Sequence, residues 1–295
     1  MEVFQELPIE QWGLLQKKLK TLWPLNVGGY YALDVNIKHP QVREAFQFKV
    51  YCPHGDINNG FIATSVKVNF LYRPIDGNGE DCIIFSISED TSMLEEALAK
   101  TKLIDWNKRL CIDMASSLII RLMEKLKSRM EFGIFNVWGA KMIFMDKSAE
   151  PYDDVKCPPD TYLAAVNPDN IGQVDDVWPY RYPNSHFYFA TLISNGLSYG
   201  LYSLDKKLLA WIFLNQYNFL CHLHCETSHR RKGYAEFLIK TVVNDSLKVG
   251  NDVYGFVVPD NEKAFGIFSK LGFQFVDDDL GHIIYFQYFN ESKSY

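Results

Sequence analysis

The chain has 295 residues, of which 47% are hydrophobic and 22% charged, a balance typical of a globular protein that buries a sizeable core. Its formal net charge of -6 argues against a general nucleic-acid binder. Six scattered cysteines fit reduced thiols in a cytoplasmic protein better than a disulfide framework. We see no signal peptide and no apolar stretch near 18 residues, so we expect no membrane contact.

The first half of the chain, residues 1–150, is predicted to form one α/β domain. Its longest helical pattern has an apolar residue at every fourth position, at Leu110, Met114, Leu118, Leu122 and Leu126. In chain order the patterns predict a helix at 9–22, strands at 30–37, 46–51, 64–72 and 82–87, helices at 92–99 and 106–130, and a strand at 141–145.

The segment 146–160 contains three prolines and many charges, which favours an interdomain linker. Residues 160–295 then form a second predicted domain with the order β-α-α-β-β-β-α-β-α-β-β. The patterns place strands at 161–166, 197–203, 207–214, 219–226, 253–258, 273–276 and 282–289, two short helices between 168 and 195, and helices at 233–247 and 261–271.

A strand that runs into a basic turn and then a helix carries the clearest chemical signal. The turn contains Arg230, Arg231 and Lys232, and the helix opens at Gly233. The first N–H groups of a helix lack internal partners, and the helix dipole attracts anions to them. Glycine lets the backbone approach a phosphate, and the small Ala235 keeps the first turn open. The turn therefore predicts a pyrophosphate site.

These residues resemble the acyl-CoA motif of the GCN5-related N-acetyltransferase superfamily, Gln/Arg-x-x-Gly-x-Gly/Ala, here Arg230, Gly233 and Ala235. About 25 residues later, the segment 257–273 resembles the second signature of that superfamily, Asn-x-x-Ala-x-x-apolar-Tyr-x-Lys-Leu-Gly-Phe. The resemblance covers about residues 160–290. Within the superfamily the chain looks nearest the FR47-like branch, which includes the glycine N-acyltransferase-like proteins of similar length.

The resemblance implies a tandem of acyl-CoA N-acyltransferase-like halves, each a mixed, mostly antiparallel sheet flanked by helices, with a divergent, degenerate first half. It implies acyl-CoA or acetyl-CoA as co-substrate and a small amine or amino acid as acceptor. A backbone N–H of the splayed strand near Cys225 would stabilise the oxyanion. The cofactor-binding residues that we assign are Cys225, Thr227, Arg230, Arg231, Lys232, Gly233, Tyr234, Ala235, Asn261 and Phe268.

Two positions depart from the pattern of the relatives. Family members often carry a tyrosine, which protonates the CoA sulfur, where this chain has Phe268, and the glycine-acylating relatives carry a glutamate where it has Ser228. His224 and Glu226 are the remaining candidates for contact with the acceptor amine. Strict alternation places them with His222 on one strand face, opposite Cys221, Leu223 and Cys225.

Each functional assignment has an alternative. The Cys-His-Leu-His-Cys run at 221–225 invites a zinc site, but no second pair of ligands lies nearby in sequence, so we predict no metal. Asn261 is read both as a helix N-cap and as a contact to the pantetheine arm, and Phe268 also fits the helix's apolar face. The leading function is N-acyl transfer to a small amine, and the alternative is an acyl-CoA-binding protein that kept the fold. We expect a cytoplasmic location, although the resemblance leaves a mitochondrial one open.

Overall fold

The computed structural model describes residues 2–65, 79–106, 109–130, 134–179, 181–182, 184–276 and 283–289. Two compact units divide the chain. The first comprises Met1–Lys141 and Val276–Tyr295, and the second comprises Met142–Phe275. The sequence predicted domains at 1–150 and 160–295, whereas the division of the chain into units falls after Lys141 and the segment Val276–Tyr295 is assigned to the first unit.

The described elements alternate between helices and strands along most of the chain. The helices are α1 (Trp12–Leu19), α2 (Val27–Lys38), α3 (Pro40–Ala45), α4 (Ser92–Lys100), α5 (Ser117–Met130), α6 (Ile171–Asp176), α7 (Ser185–Ser194), α8 (Tyr234–Lys248) and α9 (Glu262–Lys270). The strands are β1 (Phe4–Glu6), β2 (Lys49–Pro53), β3 (Phe61–Ser65), β4 (Gly79–Phe85), β5 (Arg109–Ala115), β6 (Ile134–Met145), β7 (Thr161–Ala164), β8 (Ser198–Ser203), β9 (Leu208–Leu214), β10 (Leu220–Cys225), β11 (Val253–Val257), β12 (Gln274–Val276) and β13 (Ile283–Phe289).

The sheet of the first unit runs in the order β1-β2-β3-β4-β5-β13-β6. Its neighbours are antiparallel except for β4 and β5, which run parallel and pair at five consecutive positions, from Gly79↔Arg109 to Ile83↔Asp113. Helices α4 and α5 cover part of this sheet, where Leu94, Leu98 and Leu122 join one apolar cluster. The C-terminal β13 completes this unit, because it lies between β5 and β6.

Two predictions in the first half are wrong. Residues 30–37 form most of α2, not a strand, and residues 109–115 form β5, not the start of a long helix. Helix α2 is buried on most of its surface, from Val27 to Asn36, so its short apolar run shows no helical stripe. The fourth-residue spacing from Leu110 to Leu126 crosses from a strand into a helix, and periodicity alone cannot place that boundary. The predicted strand at 64–72 lies largely outside the described residues.

The second unit follows the predicted order closely. Its sheet runs β11-β10-β9-β8-β7, and the last residues of β6 neighbour β11. The pairs β7–β8, β8–β9 and β9–β10 are antiparallel, while β10 and β11 are parallel, so the sheet is mixed and mostly antiparallel, as predicted. All seven residues of β9 are buried. Burial of large side chains such as Trp211 and Phe213 contributes roughly 1.5–3 kcal/mol each.

The proline-rich segment 146–160 lies within the second unit and packs against its helices. The Asn244 side-chain amide forms two hydrogen bonds with the backbone of Tyr152. It accepts one from the N–H and donates one to the carbonyl oxygen, each at 2.8 Å. The Tyr152 hydroxyl donates to the Leu271 carbonyl oxygen at 2.5 Å. Lys240 forms an ion pair with Asp154 at 2.7 Å. These contacts attach the segment to α8 and to the end of α9.

Candidate acyl-CoA site

The parallel strands β10 and β11 separate after a single residue pair. In these fully described strands the only paired position is Leu220↔Gly255, at the start of β10. A β-bulge follows in β10, because Cys221 pairs with Phe213 while His224, three residues on, pairs with Trp211, only two residues away. His222 lies at the bulge and has a φ of +52°, a conformation that non-glycine residues rarely adopt. Strands β10 and β11 therefore separate, with a bulge at the base of the opening.

The bulge corrects the predicted strand faces. Residues directly opposite in an antiparallel pair lie on the same face, and Phe213 and Trp211, two apart, share a face. Cys221 and His224 therefore lie on one face of β10, although strict alternation had placed them on opposite faces. The His222 ring also contacts the Phe213 ring, at 6.0 Å between centroids. The insertion of one residue explains why the period of two fails here.

The end of β10 directs a backbone donor toward the gap. Glu226 N–H donates to the Leu209 carbonyl oxygen at 2.9 Å, which continues the ladder to β9. Because successive residues alternate in an antiparallel ladder, the N–H of Cys225 points to the other side, where β11 is the neighbouring strand. Burial raises the pKa of the Cys225 thiol, so this side chain is a weak nucleophile at neutral pH. The backbone of Cys225, and not its thiol, is the group that suits a developing oxyanion.

A short 3-10 helix and two left-handed residues form the basic turn. Thr227–His229 make the 3-10 helix, and Arg230 Nε donates to the Cys225 carbonyl oxygen at 3.1 Å, which ties the turn back to β10. Arg231 has a φ of +60° and Gly233 a φ of +80°. The left-handed conformation of Gly233 is the reason for a glycine there. Crowding is not the reason, because a Cβ on this residue would meet open space. That open space leaves room for a ligand against the backbone.

The first N–H groups of α8 have no acceptor among the residues that the structure describes. No side chain caps this helix, and the first intrahelical bond runs from Phe237 N–H to the Gly233 carbonyl oxygen. The N–H groups of Tyr234, Ala235 and Glu236 precede that bond. The Glu236 carboxylate lies elsewhere, in ion pairs with Lys240 at 3.1 Å and Lys270 at 2.6 Å. A helix start of this kind binds an anion readily.

The basic side chains beside this helix start are available to a ligand. Arg231 and Lys232 are exposed, and no carboxylate of the described residues forms an ion pair with either. Tyr234 differs, because its side chain is only 9% exposed and stacks on His229 at 6.4 Å between ring centroids. Tyr234 and Ala235 therefore offer backbone N–H groups, while Arg231 and Lys232 offer charge. Together they fit the two negative phosphates of a CoA pyrophosphate.

The remaining assigned residues lie on α9 and at the start of the turn. Asn261 is the N-cap of α9, since its Oδ1 accepts from Ala264 N–H at 3.1 Å. Phe268 is only 6% exposed and packs edge-on against Phe273 at 5.1 Å between centroids, so its core role is established by contacts. Thr227 is exposed at the start of the 3-10 helix. A contact of Thr227, Asn261 or Phe268 with CoA stays a prediction.

Aromatic rings surround His222 and support His224. The His222 ring lies 5.0 Å from the rings of both Trp178 and Phe189, and the Tyr188 hydroxyl is 3.2 Å from its Nε2. Burial lowers the pKa of His222 to about 3, so it stays neutral at physiological pH. The His224 ring stacks on Trp211 at 4.6 Å. Its pKa is lowered by burial, while the negative charge of Glu226 opposes this and Arg230 adds to it.

Glu226, the second candidate for contact with the acceptor, accepts a hydrogen bond from Gln173 of α6. Gln173 Nε2 lies 2.7 Å from Glu226 Oε1 and 3.1 Å from the Leu208 carbonyl oxygen. The structure thus places Glu226 and His224 near each other at the open end of β10. Gln173 was not predicted from the sequence, because a glutamine 53 residues upstream on a short helix belongs to no motif.

Over the described ranges, no group of three or more histidine, cysteine, aspartate or glutamate side chains is arranged to hold a metal ion. Cys221 and His222 of the 221–225 run are packed against Phe213, Tyr188 and Trp178. Likewise, no helix among those residues is long and apolar enough to cross a membrane.

Comparison with solved structures identifies the class of fold. A Drosophila protein matches 98% of this chain and 99% of its own, with a TM-score of 0.78 and 17% identity. A tandem GNAT (GCN5-related N-acetyltransferase) protein from the clavulanic acid biosynthesis pathway matches 96% of this chain and 97% of its own, with a TM-score of 0.54 and 11% identity. A GNAT-family acetyltransferase from Colwellia psychrerythraea matches 97% and 98%, with a TM-score of 0.51 and 13% identity. The chain has the GNAT fold in a two-half arrangement.

One family model matches part of the chain. Residues 198–280 match the model of the FR47-like protein family. This segment contains β8 to β12 and the basic turn. No curated protein matches the chain.

Proposed function

We propose that this protein is an acyl-CoA-dependent N-acyltransferase that acylates the amine of a small molecule or amino acid. The observation that carries the proposal is the opening between β10 and β11, which begins after Leu220↔Gly255 and ends at the anion-binding turn before α8. A linear acyl-pantetheine fits between separated strands, with its pyrophosphate on Tyr234, Ala235 and the neighbouring cations. The FR47-like match and the GNAT-fold acetyltransferases support the same chemistry.

In this reaction the amine nitrogen attacks the thioester carbonyl carbon, the carbon–sulfur bond breaks, and the CoA thiolate leaves and takes up a proton. The N–H of Cys225 is the proposed donor to the oxyanion. His224, whose pKa is lowered by burial, is neutral near pH 7 and is the proposed acceptor of the amine proton, with Glu226 beside it. An alkyl thiol has a pKa of about 8.5, so its thiolate leaves without a tyrosine at position 268.

A second candidate function is acyl-CoA binding without turnover. Two observations favour it. Phe268 has no hydroxyl and packs on Phe273, and the Ser228 hydroxyl is 2.9 Å from His229 Nδ1, within the turn itself. Neither side chain is placed to move a proton for the amine or the thiolate.

The two functions are separated by one experiment with two readouts. Thiol release from acetyl-CoA and longer acyl-CoAs is followed against a panel of primary amines and amino acids, while CoA affinity is measured by calorimetry. Acylated amine, together with CoA binding, is the expected result. Binding without thiol release for any pair would reject the enzyme and leave the binding protein. Absence of binding would reject both.

A further inference from the structure

A line of hydrogen bonds runs from β8 through α6 to the end of β10. The Tyr202 hydroxyl donates to Asn170 Oδ1 at 3.1 Å, and Asn170 Nδ2 donates to Gln173 Oε1 at 3.3 Å. Gln173 Nε2 in turn donates to Glu226 Oε1 at 2.7 Å. Asn170 and Gln173 are three residues apart in sequence, whereas Tyr202 and Glu226 lie 32 and 53 residues from the side chains that they contact. All four side chains are at least partly withdrawn from solvent.

Backbone groups fix the direction of this line. The Leu208 carbonyl oxygen can only accept a hydrogen bond, so the group of Gln173 that lies 3.1 Å from it must be the Nε2 amine. Gln173 Oε1 then faces Asn170, which must present its own nitrogen, and Asn170 Oδ1 is left for the Tyr202 hydroxyl. At the far end, Asn167 N–H donates to the Tyr202 oxygen at 2.8 Å. A flipped amide would place two acceptors or two donors together at one of these contacts.

The line therefore ends with a donor aimed at a carboxylate oxygen. A hydrogen bond from Gln173 restricts the rotation of that carboxylate. Only Oε1 of Glu226 is used, and no described residue forms an ion pair with the carboxylate, so Oε2 is available to a ligand. His224 is two residues away, stacked on Trp211, and senses the charge of Glu226.

We propose that Tyr202, Asn170 and Gln173 are positioning residues, which hold the Glu226 carboxylate beside His224 so that Oε2 receives the ammonium group of the acceptor. The acceptor thus binds as a cation and gives its proton to His224 before attack. This deepens the proposed function and rests on it for the role of the acceptor, but the positioning of Glu226 is a property of the free protein. Gln173 acts through Glu226 and does not touch the reacting atoms.

The test follows the His224 imidazole by NMR titration in the full chain without CoA, with its signal assigned by His224→Gln. Glu226→Gln removes the neighbouring negative charge and lowers the pKa of His224 further. The fall in pKa in this variant is the reference for the other variants. Gln173→Met, close in size but without donors, releases the carboxylate to solvent and lowers the His224 pKa by at least half of that fall. Tyr202→Phe lowers it less, and with the same sign.

Tyr199→Phe is the matched control, because Tyr199 lies on the same strand, and its hydroxyl bonds Asp245 outside the line. It leaves the His224 titration unchanged. A His224 pKa in Gln173→Met that equals or exceeds the wild-type value would overturn the proposal, and so would an equal fall in Tyr199→Phe. If Gln173→Met does not fold, Tyr202→Phe alone decides, since it leaves Gln173 and Glu226 intact.

The active protein gives an independent readout. With an amine that turns over, Gln173→Met raises the KM for the amine about tenfold, equivalent to about 1.4 kcal/mol, and leaves the KM for acyl-CoA unchanged. A loss confined to kcat, or a matching rise in the acyl-CoA KM, would contradict a role at the acceptor. Failure of the titration overturns the positioning alone, whereas failure of thiol release in the wild type overturns the proposed function.

Discussion

Leu220 of β10 pairs with Gly255 of β11, and this is the position where the two parallel strands come closest. A Cβ on Gly255 would stand 3.1 Å from the Leu220 carbonyl oxygen, 3.3 Å from its Cβ and 3.4 Å from Ile143 Cδ1. The space for a Cβ is therefore tight where the strands meet, and the bulge at His222 separates the strands directly afterwards. Tight contact at one end and separation at the other define the opening that we assign to acyl-pantetheine.

Gly255→Ala is expected to lower the free energy of unfolding by about 1–3 kcal/mol, because the added methyl is forced against the Leu220 carbonyl oxygen and Cβ, whose positions are set by the backbone. Chemical denaturation measures this. Gly266→Ala on α9 is the control, since a Cβ there meets nothing within 4 Å and alanine favours a helix by about 1 kcal/mol. Equal stability of Gly255→Ala and the wild type would contradict the close approach of β10 and β11.

Gly233→Glu is expected to weaken CoA binding at least tenfold. The substitution strains a residue at φ +80° and places a negative charge where the pyrophosphate is proposed to bind. Calorimetric titration with CoA measures the loss. Gly196→Glu provides a matched control, because Gly196 also has a positive φ, +72°, with open space around its Cβ, but lies between α7 and β8. An affinity that falls equally in both variants would show that strain, not the site, is responsible.

The second half was predicted well because each of its elements has a clear boundary. Strands such as 207–214 are short apolar runs between turns, and 233–247 is an amphipathic helix that follows a glycine. Helix α2 was missed because burial on most sides removes the stripe that marks a helix. The basic turn was found from its residues alone, since an anion site at a helix start depends on local sequence.

The acceptor side of the site was not predictable in the same way. The bulge at His222 depends on how β10 pairs with β9, and alternation within one strand gives no sign of it. Gln173 reaches Glu226 from a helix 53 residues earlier, and Trp211 supports His224 from the neighbouring strand. Contacts of this kind are set by tertiary packing, which a motif in one segment does not record.

One CoA is expected to bind per chain, in the second unit. In the first unit β4 and β5 pair at five positions instead of one, and the segment 86–91 before α4 contains no lysine, arginine or glycine. The Asp90 carboxylate already accepts from Ser92 N–H at 3.0 Å, and this bond and one from the Ser92 hydroxyl hold the pKa of Asp90 below its usual value. The protein thus supplies its own anion at that helix start.

Calorimetry or native mass spectrometry should give a stoichiometry near one, and Gly233→Glu should reduce binding throughout the titration. Two equivalents, or a second site that survives Gly233→Glu, would show that the first unit also binds CoA.

Protonation of His222 is expected to destabilise the fold as the pH falls. Burial lowers the pKa of His222 to about 3 in the folded state, whereas the unfolded chain binds this proton below about pH 6.5. The unfolded state therefore holds more protons between these values, so stability is full above pH 6.5 and falls toward pH 3, by up to about 1.4 kcal/mol per pH unit.

His222→Asn, which tolerates a positive φ and does not titrate, should lose this part of the pH dependence. Unfolding free energies between pH 7 and pH 4 measure it, with the exposed His186→Asn of α7 as a control that keeps the wild-type slope. Equal slopes in His222→Asn and the wild type would mean that the ring is not held neutral by its aromatic surroundings.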